Sequence, residues 1–478
     1  MALTSALNSA LSGLNAASRA SVLVSENLAN AMTEGYGRRT LGLGSNGDVA
    51  PGVRVIGVTR NTDPSLVASR RGADADLGAA AALSRFHARV LDLVGNSDEP
   101  GSISSRLAEF ESSLIEAASR PDSAVRLDAA AQAGVDLARA ISDASRGIQD
   151  MRIEADRGIG DQVERLNAAL QEVRTLNARI SAAGAGTGEQ AALADQRQVI
   201  VDEINEMIPV RIVERDRGQV ALFTQGGATL LDGMAAELSF EVTNLIVPEM
   251  QVGGALSGLE LNGRPITPSA VGGGTLAARF AVRDDLAVEA QAELDSLARD
   301  LVERFEDPAL DATRIAGSPG LFTDDGNALD PGAATGLAGR LSFNALADPE
   351  RGGASWLLRD GLGAATPGDQ GNARLLQSLG AALSADRTLT GSPFGTGAMS
   401  ALDASSALLS QVARRDGIAA RTLSFATASQ TELLRAEQAQ GVDTDAELQS
   451  LMMIERIYAA NAKMIETVDD MLQTLLRI

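Results

Sequence analysis

Two long heptad patterns, one near each end of the printed sequence, constrain the fold of this chain more than any other feature. In both patterns, apolar or small residues recur at alternating spacings of three and four, which is typical of a helix that packs along one seam. The first seam consists of Leu7, Ala10, Leu14, Ala17, Ser21, Val24, Leu28 and Ala31. The second consists of Leu451, Ile454, Tyr458, Asn461, Ile465, Val468, Leu472 and Leu475. Because one amphipathic helix cannot bury its own stripe, we expect the two helices to pack against each other as a coiled coil.

The interior contains a segment that predicts an unusually long helix. Residues 122–182 contain no proline, and their second half again repeats apolar residues at three- and four-residue spacings. A continuous helix over this segment would be about 90 Å long, which suits a rod better than a globular enzyme. Further helices are predicted at 102–119, 190–207, 276–306 and 399–438.

Between these helices, several stretches have the pattern of strands. Residues 41–60 look extended, and Asp216-Arg217-Gly218 separates two short apolar runs, as in a hairpin. Shorter strand-like pieces follow at 228–231 and 237–243. Residues 308–398 are rich in Gly, Pro and Asp, which predicts a small unit of short strands and loops.

We therefore predict a mainly α fold with β-rich inserts, that is, a multidomain α+β protein. The expected divisions are a terminal coiled-coil domain (1–60 with 440–478), a long helical bundle (61–208 with 274–316 and 396–439), a β-hairpin-rich segment attached to the bundle (209–273) and a small outer domain of strands and loops (317–395).

Composition excludes several classes of function. The net charge of −22 disfavours binding to nucleic acid phosphates and to anionic membrane surfaces. No run approaches the ~20 apolar residues that span a bilayer, and polar residues interrupt the N-terminal region, so a Sec signal peptide is not expected. The absence of cysteine excludes disulfides and thiolate chemistry.

The sequence offers little for catalysis or metal binding. Its one histidine, His87, lies in a predicted helix beside two arginines. We interpret it as an exposed helical residue rather than as a catalytic base, because its surroundings offer no catalytic partner. Zinc sites need several Cys or His ligands. We expect no enzyme activity, no cofactor and no metal site, although a hydrolase that uses only carboxylates stays open as the weakest alternative.

Two polar features are interpreted structurally. Asp443 and Asp445 are expected to be acids at a helix N-terminus, where the helix dipole favours negative charge, and Thr444 and Glu447 have the spacing of a capping box. Asn461 occupies a seam position, where a lone polar residue can fix the register of a coiled coil; the alternative is a partly exposed asparagine.

The terminal motifs resemble those of bacterial flagellar axial proteins. The matching pieces are Ser12-Gly13-Leu14, Asn27-Leu28-Ala29-Asn30, Gly35-Tyr36-Gly37-Arg38 and Tyr458-Ala-Ala-Asn461-Ala462. Interior blocks at 107–130, 193–233 and 274–305 are similar to the family of the first hook-associated protein, which forms the hook–filament junction.

The resemblance implies a structural subunit that polymerises with like subunits through its terminal helices. It implies export by the flagellar type III apparatus, an export chaperone on the C-terminal helix, and contacts with the hook protein and the second hook–filament junction protein. The location would be extracellular, in the flagellum, with no nucleic acid partner and no membrane insertion. The residues implied at the exit of the first helix are Asn27, Asn30, Gly35, Tyr36 and Arg38, and Tyr36 and Arg38 would contact the neighbouring wall. Independently of the resemblance, Gly35 is expected to end the helix.

Two alternatives remain from the sequence. Another axial protein, of the hook or distal rod, shares the terminal motifs but has less helix in its centre. A cytosolic coiled-coil scaffold would also be acidic, helical and free of cysteine.

Overall fold

Long helices dominate the chain, and short antiparallel sheets lie between them. The structure is a computed structural model that describes residues 2–33, 35–45, 52–96, 98–389, 393–395 and 397–476. The α-helices are, in chain order, α1 (Ala2–Ala29), α2 (Pro64–Val94), α3 (Ile103–Ser119), α4 (Ala124–Ala182), α5 (Gly188–Met207), α6 (Pro268–Val271), α7 (Gly274–Ala281), α8 (Ala287–Glu306), α9 (Leu337–Arg340), α10 (Leu357–Asp360), α11 (Arg374–Ser384), α12 (Ala401–Ala439) and α13 (Thr444–Leu476). The strands are β1 (Arg38–Ser45), β2 (Val53–Asn61), β3 (Val210–Glu214), β4 (Val220–Thr224), β5 (Thr229–Asp232), β6 (Met234–Ala235), β7 (Leu238–Ser239), β8 (Leu259–Leu261), β9 (Arg264–Ile266), β10 (Phe322–Asp324), β11 (Leu341–Phe343), β12 (Arg387–Thr388) and β13 (Ala398–Met399). The predicted mainly α fold with β-rich inserts is confirmed.

The central axis of the molecule is α4, an uninterrupted helix of 59 residues. At 1.5 Å per residue it is about 90 Å long, as the proline-free segment predicted. Glycines inside it serve close packing: a Cβ on Gly134 would lie 2.4 Å from the ring of Phe343, and one on Gly147 would lie 2.6 Å from the side chain of Leu93. The neighbouring elements therefore approach the helix backbone directly.

One half of α4 belongs to a large core centred on four phenylalanines. Phe110 of α3, Phe305 of α8, Phe322 of β10 and Phe343 of β11 pack with ring centroids 5.4–6.4 Å apart. Edge-to-face pairs of this kind stabilise a core beyond the area that they bury. The short strands within 317–395 thus place their apolar side chains in the same core as the bundle helices. The expected outer domain stays a prediction, but it has no separate apolar core among the described residues.

The other half of α4 packs against α5, α7 and a four-stranded sheet in the order β3-β4-β5-β6. The hairpin expected around residues 216–218 is present, with Val210 opposite Thr224 and Glu214 opposite Val220. The strand expected at 237–243 pairs only over Leu238–Ser239, because the Thr243 amide donates instead to the buried Asp156 carboxylate at 2.7 Å.

The helix predicted at 276–306 is interrupted by a π-helical turn, Val282–Leu286. This turn places Arg283 in the interior, where its guanidinium binds Asp156 of α4 at 2.6 Å with both side chains fully buried. Such a π-bulge is not visible in apolar periodicity, since it adds one residue to a turn without changing the residue types.

The chain ends pack together beside the bundle. The β1–β2 ribbon follows α1 and pairs from Arg38 opposite Asn61 to Ser45 opposite Val53; residues 46–51 of the predicted extended stretch lie outside the described residues. At the far end of the chain, α12 packs along α2, and α13 returns to pack along α1. No helix in the described part of the chain is both long and apolar enough to cross a membrane.

Candidate functional site

The paired terminal helices are the first candidate site. On α1, the seam residue Val24 is buried, and Leu7, Leu14 and Leu28 are half-buried. On α13, Val468 is buried with 4% of its surface exposed. The pairing that the heptad seams predicted is therefore present, although its apolar seam is shallow because small residues occupy alternate positions on α1.

The remaining predicted residues of the α13 seam are less covered. Leu451, Ile454, Asn461 and Ile465 are half-buried. Tyr458, Leu472 and Leu475 keep 45%, 40% and 58% of their surface exposed. The single chain thus leaves part of this seam open to solvent.

Asn461 meets α1 at its glycine. A Cβ on Gly13 would lie 2.8 Å from the Asn461 Oδ1 and 2.9 Å from its Nδ2. The same side-chain amide donates to the Ile457 carbonyl at 2.9 Å. Two of the motifs that carry the family resemblance, Ser12-Gly13-Leu14 and the one centred on Asn461, are therefore in contact with each other.

A second apolar stripe on α13 has no covering element among the described residues. It consists of Met453, Ile457, Met464 and Met471, which follow heptad-like spacings one residue before the α1-facing seam. Their exposed fractions are 66%, 46%, 48% and 49%. We call these residues the methionine stripe. An exposed apolar row of this length is typical of a surface that another molecule covers.

The exit of α1 is the second candidate site, and Asn27 organises it. Its buried side-chain amide donates to the Arg39 carbonyl at 2.9 Å and accepts from the Arg39 amide at 3.0 Å. The same oxygen accepts from the Tyr36 hydroxyl at 2.8 Å. The Asn27 side chain thus makes the same two hydrogen bonds to the backbone of Arg39 in β1 that a neighbouring strand would make. These bonds fix the reversal of chain direction between α1 and β1.

The helix ends earlier than the sequence predicted. We expected Gly35 to stop α1, but the helix ends at Ala29, and the Asn30 side-chain amide donates to the Glu26 carbonyl at 2.9 Å. Gly35 instead forms the turn that follows, with a φ of +75°. A Cβ there would lie 2.7 Å from a Val199 methyl group, so both conformation and space favour glycine.

Tyr36 and Arg38 both bind groups of their own chain, and their contact with the neighbouring wall stays a prediction. Besides its bond to Asn27, Tyr36 carries the Arg39 guanidinium 4.8 Å from its ring centroid, and burial raises the pKa of its hydroxyl. The Arg38 Nε lies 2.7 Å from the Glu447 Oε1. Glu447 is 1% exposed, so this ion pair ties the exit of α1 to the first turn of α13.

The predicted capping box at Thr444 and Glu447 is therefore wrong. The carboxylate of Glu447 is occupied by Arg38, and the cap is Asp443, whose Oδ1 accepts from the amides of Asp445 and Ala446 at 3.0 and 3.1 Å. The interpretation of Asp443 as a helix N-terminal acid is confirmed.

Three further residues complete the helix exit, and no sequence signal singled them out. Asp195 of α5 binds both Arg39, at 2.8 Å, and Arg60, at 2.5 Å. Burial works to lower the pKa of Arg39, but the bond to Asp195 and nearby charges raise it overall. Asp195 is one carboxylate among 63 acidic residues, and only the three-dimensional fold brings it to residues 135 or more positions away.

His87 lies on α2 and is half-buried rather than exposed, beside Phe86 with ring centroids 5.3 Å apart. Its pKa is lowered by burial and by the positive charge of Arg415. Within the described ranges, no group of three or more His, Asp or Glu side chains is arranged to hold a metal ion.

Long bundled helices, a paired terminal layer and an uncovered apolar stripe are typical of a structural subunit that packs against others in an elongated assembly. The model of the flagellar hook-associated protein FlgK helical domain matches residues 88–321, and the model of the flagellar basal body rod FlgEFG protein C-terminal region matches residues 436–478. The chain belongs to the family of the flagellar hook-associated protein FlgK.

Curated relatives agree with this family. Flagellar hook-associated protein 1 of Salmonella typhimurium is 29% identical over 243 residues, which cover 49% of this chain and 44% of that protein. Flagellar hook-associated protein 1 of Escherichia coli is 25% identical over 285 residues, covering 57% of this chain and 52% of that protein. The matches thus span about half the length of these relatives. Among solved structures, the flagellar hook junction protein FlgK from Burkholderia pseudomallei aligns with a TM-score of 0.45 at 19% identity, covering 54% of this chain and 46% of that one.

Proposed function

We propose that this chain is a non-enzymatic structural subunit of the bacterial flagellum, which polymerises at the distal end of the hook and forms the junction between hook and filament. The family and the names of the relatives support this proposal. The long α4 and the paired termini suit a subunit that spans the wall of a tubular assembly.

The observation that carries the proposal is the methionine stripe of α13. Its partner in the assembly is a second copy of this chain, because the outer face of α1 also carries uncovered apolar residues, Leu11 and Val22, with 49% and 57% of their surface exposed. Methionine side chains adapt to irregular surfaces, so one stripe can fit neighbours at slightly different angles. Packing of like subunits would bury both rows at once.

The same stripe explains the other partners that we propose. The chain is exported by the flagellar type III apparatus, and an export chaperone covers α13 until assembly. In the extracellular flagellum the neighbours are like subunits, the hook protein and the second hook–filament junction protein. The terminal helices (1–60 with 440–478) form the inner part, the bundle (61–208, 274–316 and 396–439) with its attached segment (209–273) lies outside it, and 317–395 faces outward.

The test is a pair of charge-adding substitutions on opposite sides of α13. Met464→Glu places a carboxylate in the stripe, whereas Gln473→Glu adds the same charge nine residues on, on the opposite side of the helix. In a strain that lacks the native protein, we expect Q473E to restore filaments and swimming and M464E to fail.

Two measurements identify the cause of such a failure. The M464E protein should be found in the culture medium, which shows that export continues, and it should be missing from the hook tip in immunogold images. Normal assembly by M464E would refute the proposal. Labelling of Q473E or the wild type along the whole hook would favour a hook or rod protein, and retention of the wild type in the cytosol would favour a scaffold.

A further inference from the structure

The connection between the terminal layer and the bundle is polar, and it converges on one carboxylate. The Asp195 Oδ1 accepts from the Gly37 amide at 3.0 Å and from the Arg60 Nε at 2.5 Å, and its Oδ2 accepts from the Arg39 Nη2 at 2.8 Å. Asp195 belongs to α5 of the bundle. Its three donors come from the turn after α1, from β2 and from β1, so one side chain binds three segments of the N-terminal part of the layer.

Apolar packing contributes little at this connection. The apolar core clusters formed by the described residues include members of the bundle and its sheets, but none from 2–61 or 444–476. Further polar contacts join the layer to the bundle: the Val58 amide donates to the Gly186 carbonyl at 2.7 Å, and Arg60 also binds the Gln198 side chain. An apolar core resists bending from all sides, whereas an interface of this kind holds its angle through directional bonds.

The negative charge of Asp195 also compensates the buried positive charge of Arg39. The Arg39 side chain is 9% exposed, and its second acceptor, Glu26, is 45% exposed and 3.3 Å away. Charge-assisted bonds to a buried carboxylate are stronger and more directional than neutral ones, and removing one partner of such a pair leaves a buried charge without compensation. Without the Asp195 carboxylate, the guanidinium groups of Arg39 and Arg60 would be more stable in solvent. Their movement toward solvent would shift β1 and β2, which carry them.

We propose that Asp195 is a positioning residue that fixes the angle between the terminal helix layer and the bundle, and that its loss converts this connection into a flexible hinge while both parts stay folded. This inference concerns the isolated chain and does not depend on where in the flagellum the chain assembles.

The absence of native cysteine makes a direct measurement simple. Cysteines introduced at the exposed positions Ser18 of α1 and Thr175 of α4 would carry spin labels, and pulsed electron resonance would give their distance distribution. Asp195→Asn and Asp195→Ala are compared with Asp232→Asn, which removes the same charge from an exposed ion pair with Arg215. We expect both Asp195 variants to widen the distribution at least twofold and D232N to match the unsubstituted chain.

Hydrogen exchange supplies the second readout. We expect the Gly37 amide to lose protection at least tenfold in D195N, while amides in the middle of α4 and α5 keep theirs. An unchanged distance distribution in D195A, whether narrow or broad, would overturn the proposal, because the carboxylate would then not set the angle. A loss of protection throughout α4 and α5 would overturn it equally, because Asp195 would then hold the fold of the bundle instead.

Discussion

The contact between Gly13 and Asn461 allows the packing of the terminal helices to be tested with one methyl group. Gly13 lies inside α1, where glycine in place of alanine costs a helix roughly 0.5–1 kcal/mol. Gly13→Ala therefore brings a gain in helix stability of that size. The added methyl would also lie 2.8–3.0 Å from three atoms of the Asn461 amide group, which must move away.

That movement has a cost that the structure lets us estimate. The Asn461 amide donates to the Ile457 carbonyl, and losing a hydrogen bond of this type costs about 1 kcal/mol. The two terms nearly cancel, so we expect G13A to give no net stabilisation of the α1–α13 pair. Gly72→Ala is the matched control, because Gly72 lies inside α2 and a Cβ there has no atom within 4 Å. It should stabilise its helix by roughly 0.5–1 kcal/mol.

Local hydrogen exchange is the suitable assay, because unfolding of a chain with several cores is not a two-state process. Exchange in α2 should slow in G72A, and exchange in α1 and α13 should stay unchanged in G13A. The double variant with Asn461→Ala should recover the helix gain of G13A relative to Asn461→Ala alone. If G13A slows exchange in α1 as much as G72A does in α2, Asn461 does not pack on Gly13 and the proposed seam register is wrong.

Other parts of the molecule give three further predictions. Asp443→Ala should remove the cap of α13 and cost about 1 kcal/mol, seen as faster amide exchange confined to the first turn of that helix. Phe322→Ala should destabilise the bundle by about 3–5 kcal/mol, seen as faster amide exchange in α3 and α8, whereas Phe425→Ala, at a side chain that is 77% exposed, should stay within about 0.5 kcal/mol of the parent; equal effects would contradict the four-phenylalanine core. Since the folded pKa of His87 lies below its ordinary 6.5, the unfolded chain takes up the proton first, and stability should fall as the pH drops below about 6.5. His87→Gln should reduce the loss of thermal stability between about pH 7 and pH 5.5, and an unchanged loss would mean that burial beside Arg415 does not disfavour the imidazolium.

Periodicity predicted the long elements of this fold because those elements depend on local pattern. The proline-free stretch of α4 and the seams of α1 and α13 each extend over many helical turns. One residue that departs from the pattern therefore does not change the predicted helix. The pairing of α1 with α13 followed from the same patterns, since each presents a stripe that it cannot bury alone. The expected division of the chain into domains stays a prediction.

The contacts that the sequence did not predict share a different physical cause. Glu447 has the spacing of a capping residue, but Arg38 offers its carboxylate a full positive charge, which attracts the carboxylate more strongly than the dipole of a backbone amide does. Asp195 and Arg60 look like ordinary surface charges in the sequence and meet only because the β1–β2 ribbon lies against α5. The π-helical turn at 282–286 likewise follows from the buried pair of Arg283 and Asp156. Long-range polar contacts have no local period, so a single sequence does not reveal them.

The distribution of apolar and polar contacts along the molecule carries a mechanical consequence. The bundle has apolar cores along successive stretches of one long helix, so it should behave as a stiff body. The terminal layer has a shallow seam, an uncovered methionine stripe and a polar connection, so we expect it to gain further burial when neighbours pack against it. Assembly would then fix the terminal helices first against other subunits, while the connection at Asp195 decides at what angle each bundle projects from the layer so formed.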